Sequence, residues 1–279
     1  MSAGRKRRLR IASFNINGVV RRLPNLLGWL DETAPDIVCL QELKAAGPDF
    51  PRGPLEAAGY RAVWRGQSAW NGVAILSRGP EPVLTRDALP GDPEDRQPRY
   101  IEAAVQGVLV ASLYAPNGNP RPGPKFDYKI AWHERMRRHA AELIATGLPV
   151  VLAGDYNIVP ETRDIYPTRS YDENALVQAE ARAAFAALRA QGWTDALRAL
   201  HPEGPLYTFW DYRRNRWARD AGLRLDHLLV SPTLAPRLAA AGIDREARGR
   251  AEASDHAPVW IELGPTDRSR TRATPINAL

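Results

Sequence analysis

The chain has 279 residues, 44% of them hydrophobic and 25% charged, enough for a globular core in one large domain or two small ones. No apolar run exceeds strand length and the basic start, Met1 to Arg10, leads into no signal core, so the composition argues against a membrane span and against secretion. A single cysteine excludes an internal disulfide and fits a reducing cytoplasm, while a net charge of +6 favours a polyanionic partner.

A basic arm, residues 1–8, precedes the first apolar strand-like run, Leu9 to Phe14. Pro24 to Glu32 follows as a helix with Leu26, Leu27 and Leu30 on one face. The next strand, Ile37 to Leu40, carries Cys39 as a buried structural thiol. From Tyr60 to Tyr114 the pattern is consecutive strands and turns, among them Val73 to Leu76 and Val108 to Tyr114. Lys125 to Ile144 is a longer amphipathic helix, Val150 to Ala153 a strand, and Ala179 to Ala190 an Ala-rich helix stopped by Gly192. Leu225 to Val230 and Val259 to Leu263 are the last strands, and Gly264 to Leu279 is a polar, flexible tail. This mixture predicts an α/β architecture: two stacked mixed sheets with helices outside, in one domain over residues 9–263.

Acids and amides cluster at the strand ends. Asn15 follows the first strand and Glu42 the second; Asp155 and Asn157 follow Val150 to Ala153; Asp226 opens the next strand, and Asp255-His256 precedes the last. Singly, each Asp or Asn reads as a turn residue or helix cap. Together, on one rim, they suit phosphodiester cleavage. Glu42 is the type of ligand that holds Mg²⁺, Asp155 the type of base that takes a proton from water, and a histidine backed by an acid can donate to a phosphoryl oxygen.

Five ordered blocks carry a resemblance: Ser13-Phe14-Asn15-Ile16-Asn17-Gly18, Leu40-Gln41-Glu42-Leu43-Lys44, Ala153-Gly154-Asp155-Tyr156-Asn157, Leu223-Arg224-Leu225-Asp226 and Ser254-Asp255-His256-Ala257-Pro258. They resemble the signature blocks of the exonuclease III family, within the endonuclease/exonuclease/phosphatase superfamily, from about Leu9 to Leu263. The resemblance implies a four-layered α/β sandwich and a phosphodiesterase that uses Mg²⁺, with Mn²⁺ as a substitute. It implies a metal region drawn from Asn15, Glu42, Asp155, Asn157, Asp255 and His256. Tyr114 and Asn117, in Leu113-Tyr114-Ala115-Pro116-Asn117-Gly118, would contact the phosphate, and Asp155 would activate water with Asn157 orienting it. Asp226 would pair with His256. Two departures stand out: Asn17 replaces an acid found in some relatives, and Leu223 follows Gly222 where one branch carries a tryptophan beside the abasic pocket.

The metal core is shared with superfamily phosphatases that act on other phosphoesters, and a catalytically weak relative could serve as a nucleic-acid-binding regulator. Tyr207-Thr208-Phe209-Trp210-Asp211-Tyr212-Arg213 favours DNA, because it resembles the block that forms the apolar abasic pocket in the family. Phe209, Leu223 and Leu225 are its expected walls, with Trp210 behind. Arg99, Lys125, Lys129 and Arg213 are expected phosphate contacts. The implied partner is duplex DNA with abasic sites or 3′ ends, met by a monomer close to the nucleoid. The implied work is cleavage 5′ to abasic sites and removal of nucleotides or blocking groups from 3′ ends, in base excision repair.

Overall fold

The computed structural model describes residues 8–265, so the expected basic arm, apart from Arg8, and the tail beyond Pro265 lie outside the described residues. One sheet is built from β1 (Leu9–Asn15), β2 (Ile37–Gln41), β3 (Tyr60–Arg65), β4 (Val73–Arg78), β11 (Leu238–Ile243) and β12 (Val259–Leu263). The other takes β5 (Val83–Arg86), β6 (Tyr100–Val105), β7 (Val108–Tyr114), β8 (Val150–Asp155), β9 (Thr194–Asp195) and β10 (Asp226–Val230). Their orders are β11-β12-β1-β2-β4-β3 and β5-β6-β7-β8-β10-β9. Each sheet has one parallel pair at its centre, β1 with β2 and β7 with β8, and the remaining pairs are antiparallel. A helix makes each parallel crossover: α1 (Leu23–Thr33) between β1 and β2, and α3 (Pro124–Ala145) between β7 and β8.

Side-chain alternation explains the layers. Ile11, Ile37, Cys39 and Ile75 of the first sheet meet Ile101, Val110, Val151, Ala153 and Leu228 of the second in one shared core. The opposite faces are covered by helices. Leu26, Trp29 and Leu30 of α1, with Leu55 of α2 (Arg52–Ala57), pack on Ala12, Phe14, Val38 and Leu40. Trp132, Met136 and Ala140 of α3, with Phe185 and Leu188 of α4 (Ala179–Arg189), pack on Ala111, Leu113, Leu152 and Leu229. The four layers expected from the sequence are present. Burial between the sheets also pushes the Cys39 thiol pKa up, which keeps it protonated and unreactive.

Two strands escaped the sequence pattern. β11 reads Leu-Ala-Ala-Ala-Gly-Ile, a helix-prone composition, yet it pairs along β12 at the sheet edge. Gly242 lies so close to Trp260 that a Cβ would sit 2.6 Å from its ring, so the pairing selects glycine and overrides propensity. β9 is only two residues, too short for any periodicity.

Candidate active site

Strand directions bring the polar residues to one rim. Asn15 ends β1, Tyr114 ends β7 and Asp155 ends β8. β10 runs against β8, so its first residue, Asp226, pairs directly with Asp155. β12 runs against β1 with Val259 opposite Ser13, which carries Asp255 and His256 to the same end. Alternation does the rest. Asn15 continues the inward row of Ile11, Asp155 that of Val151 and Ala153, and Asp226 that of Leu228 and Val230. Gly154 is required just before Asp155, because a Cβ there would lie 1.9 Å from the Leu113 carbonyl oxygen. Asn17, Glu42, Lys44 and Asn157 all adopt left-handed backbone, with φ between 49° and 52°. Such conformations disfavour side chains with a Cβ and persist only where surrounding contacts impose them.

Those contacts form a continuous network. Asn15 Nδ2 donates to Glu42 Oε1 at 2.9 Å and to Asp155 Oδ2 at 3.0 Å. The Asn157 main-chain N–H donates to Asp155 Oδ1 at 2.8 Å, and Asn117 Nδ2 donates to Asn157 Oδ1 at 3.1 Å. His256 Nδ1 lies 2.8 Å from Asp226 Oδ2, and its Nε2 lies 3.8 Å from Asp155 Oδ2. Ligand atoms of Glu42, Asp155 and His256 all fall within 4.8 Å of one another. Asp255 points elsewhere: its Oδ1 accepts from Asn17 Nδ2 at 2.8 Å. Two participants carried no role in the sequence reading. Thr208 donates to Asp226 Oδ2 at 2.6 Å, and Lys44 Nζ lies 2.8 Å from Glu42 Oε2. Both lie inside quoted blocks, but their type alone gives no sign of these partners.

The charges are strongly coupled. Burial pushes Asp155 up to about 7, with Asp226 and Glu42 adding to the rise and His256 opposing it. Burial works to lower His256, but the Asp226 carboxylate overrides it and holds the imidazole up at about 10. Burial likewise opposes ionisation of Glu42, yet Lys44 and the Asn15 amide keep it below its ordinary value. Tyr114 is raised well above its usual range by burial and by the nearby Glu42 and Asp155 carboxylates, so it stays a hydroxyl donor. Asp226 Oδ1 is buried with no hydrogen-bond partner among the described residues.

Beside the rim, Phe209, Leu223 and Leu225 cluster with Val159, Tyr171 and Leu176. The Phe209 ring lies 4.9 Å from the His256 imidazole, which sets the apolar cluster against the His256–Asp226 pair. Trp210 is fully buried in a separate cluster with Tyr207 and Ala257, edge-on to Trp217. Arg99 packs over Tyr114, and a cleft of about 490 Å³ is lined by both together with Asn117, the exposed Lys125 and Trp70. Arg213 is exposed beside Arg214 and Arg216. Lys129 corrects the sequence reading. It is completely buried, and its Nζ donates to the carbonyls of Asn117, Asn157 and Ala175 at 3.1, 2.5 and 3.2 Å. It braces the site loops from beneath rather than meeting solvent or DNA, because the loops close over it: Gly118 passes so near that a Cβ would lie 2.6 Å from its Cδ.

Residues 12–256 match the endonuclease/exonuclease/phosphatase family. The exodeoxyribonuclease III of Haemophilus influenzae is 34% identical, over 91% of this chain and 100% of that one. A 3′–5′ exonuclease from Neisseria meningitidis superposes with a TM-score of 0.89 at 39% identity, covering 92% of this chain and 100% of its own. An AP endonuclease from Archaeoglobus fulgidus does so with a TM-score of 0.87 at 33% identity, covering 91% and 99%. The chain therefore belongs to the endonuclease/exonuclease/phosphatase family, in its exonuclease III group.

Proposed function

We propose that this protein is a Mg²⁺-dependent DNA phosphodiesterase of base excision repair, cutting 5′ to abasic sites and clearing nucleotides or blocking groups from 3′ ends. The observation that carries this reading is the His256–Asp226 pair set against Asp155, in the same cluster as Glu42 and next to the Phe209–Leu223–Leu225 cluster. The relatives named as exonuclease and AP endonuclease act in the same direction.

The rim fits a hard divalent cation. Its oxygen donors, the crowding of Glu42 and Asp155, and the unpartnered Asp226 Oδ1 all describe a surplus of negative charge. Glu42, Asp155 and Asn15 would hold the ion, which supplies charge neutralisation at the phosphoryl oxygens. The chain's own groups do the rest. Asp155, its oxygens fixed by Asn15 and the Asn157 N–H, takes the proton from the attacking water. His256 is held charged by Asp226 and donates from Nε2 to a non-bridging oxygen as charge develops. Tyr114 and Asn117 donate from the opposite side, toward the phosphate and the leaving oxygen. The apolar cluster of Phe209, Leu223 and Leu225 would wall the site that admits a flipped sugar lacking its base and excludes a bulkier nucleotide.

The catalytic unit runs from Leu9 to Leu263 and works as a monomer on chromosomal DNA in the cytoplasm. Among the described residues, no helix is long and apolar enough to cross a membrane. Incubation with a duplex containing a tetrahydrofuran abasic analogue, with saturating Mg²⁺ or with EDTA, tests the reading. Incision that EDTA abolishes is expected; no incision in Mg²⁺ would overturn it. Substrates ending in a 3′-phosphate or a recessed 3′-hydroxyl rank the remaining activities.

A further inference from the structure

The two sides of the apolar cluster beside the rim are anchored differently. Leu223 and Leu225 run directly into Asp226, so β10 fixes that side to the rim. Tyr171 and Leu176 belong to the long connection between β8 and α4, outside either sheet. One main-chain hydrogen bond, from the Val159 N–H to the Leu176 carbonyl at 2.8 Å, holds them to the loop that follows Asp155. The remaining ties run through side chains, and the half-buried Asn119, in the loop after β7, stands at their centre.

Asn119 Oδ1 accepts from the Ala175 N–H at 2.9 Å. Its Nδ2 donates to Asn174 Oδ1 at 3.0 Å, an oxygen that also takes the Leu176 N–H at 3.0 Å. The same Nδ2 donates to Asn117 Oδ1 at 2.6 Å. Asn117 Nδ2 in turn donates to Asn157 Oδ1, and Asn157 Nδ2 to Asp155 Oδ2 at 3.3 Å. Along Ala175, Asn119, Asn117, Asn157 and Asp155 each group donates to the next, so the series runs head to tail and each bond polarises its neighbour. Donation into Asn117 Oδ1 also fixes which way that amide faces and leaves its Nδ2 for the rim. Lys129 joins the same three segments from beneath, but all its partners are main-chain carbonyls. Asn119 is the group that links the cluster to the side chain of Asp155.

We propose that Asn119 is a positioning residue that sets the register between the apolar cluster and Asp155. The proposal rests on the DNA-cleaving reading and deepens it. A base-free sugar seated against the cluster and the phosphate beside Asp155 belong to one substrate, so their separation must match that of cluster and carboxylate. A mismatch of about 1 Å leaves the sugar bound but the attacking water out of line, which is enough to slow the chemistry substantially. A substrate that puts nothing against the cluster escapes this constraint, because its phosphate settles beside Asp155 on its own.

Two duplexes separate positioning from a merely structural role. One carries a tetrahydrofuran ring at the cleavage position, the other an acyclic propanediol spacer that keeps the backbone length but has no ring. Single-turnover incision at saturating protein and Mg²⁺ is measured for wild type, Asn119→Ala and Asn119→Asp, with binding in EDTA followed by fluorescence anisotropy. Asn119→Asp keeps the acceptor for Ala175 and removes the donor to Asn117, so it breaks one link while the loop contact stays. Both variants are expected to slow incision of the ring substrate about tenfold and that of the spacer less than about twofold, and Asn119→Ala to keep its affinity within about threefold. If Asn119→Ala misfolds, as its melting temperature would reveal, Asn119→Asp decides. Equal slowing on both duplexes overturns the proposal, since Asn119 would then orient Asp155 without reference to the cluster. So does unchanged incision of both, and so does weaker binding at an unchanged rate, which would make Asn119 a DNA contact. Wild type that incises neither duplex refutes the parent reading, whereas wild-type incision with the same ring-to-spacer ratio in both variants refutes only the register.

Discussion

Two clusters of buried charge in this chain follow opposite rules. Around Arg224, two cations meet two carboxylates: Arg224 donates to Asp195 at 2.8 Å and to Asp164 at 3.1 Å, and Arg198 donates to Asp164 at 2.6 Å. At the rim, among the described residues, the direct ion-pair partners of Glu42, Asp155, Asp226 and Asp255 are Lys44 and His256, with Lys129 and Arg248 acting on Asp155 and Asp255 from farther off. The balanced cluster needs nothing from outside and pins the segment that carries Leu223 and Leu225. On the proposed reading, the unbalanced one would be completed by a cation and a phosphodiester. Backbone conformation separates them too, since left-handed residues occur at the rim but at none of the four residues of the Arg224 cluster. Burial of charge by itself therefore does not mark a functional site; the mismatch of charge does.

The sharpest test of that contrast is Asp155→Asn. Single-turnover cleavage should fall about 10³-fold while DNA affinity changes only a few-fold, as read by rapid quench and by fluorescence anisotropy. A loss of only a few-fold in rate would remove the rim from the chemistry. Arg224→Ala should act on the fold instead. It strands Asp164 and Asp195 in the interior and should lower unfolding free energy by about 3–5 kcal/mol in urea denaturation. An unchanged midpoint would show that the two clusters are not as different as their partners suggest.

Asp226→Asn and His256→Ala should each slow cleavage about 10²-fold, and the double variant scarcely more, because the two side chains act as one unit. Additive losses would break the pair. The metal-free protein should also carry a pH signature. Asp226 holds His256 at about 10, against about 6.5 when unfolded, so its stabilisation is complete below pH 6.5 and is lost as pH rises through 10. Melting temperatures in EDTA should fall across that window, and His256→Ala should flatten the trend. Smallest of all, Lys125→Gln should reduce DNA affinity two- to threefold and flatten its salt dependence slightly, as expected of one exposed phosphate contact.

Much of the architecture was legible because its signals are local. Apolar runs of strand length, the Leu26–Leu30 face and the long helix beginning near Lys125 each depend on neighbours within a few residues. β11 was hidden because its Ala-rich run becomes a strand only by pairing with β12. Lys129 was misread for a related reason: a lysine on an amphipathic helix resembles a solvated charge until the loops of Asn117 and Asn157 are folded over it.

By itself, the sequence determined which residues stand at the strand ends, and so the acids, amides and histidine available to the rim. Strand alternation then required those within strands, Asn15, Asp155 and Asp226, to face between the sheets. Only the tertiary structure decided their company. Asn15 reaches Asp155 across 140 positions of chain, Thr208 supports Asp226, and Asp255 turns to Asn17 instead of joining Glu42 and Asp155. Such partnerships follow from the packing of two sheets and the loops that close their edge. No local pattern encodes them, because the energy of a buried charge depends on what surrounds it in space.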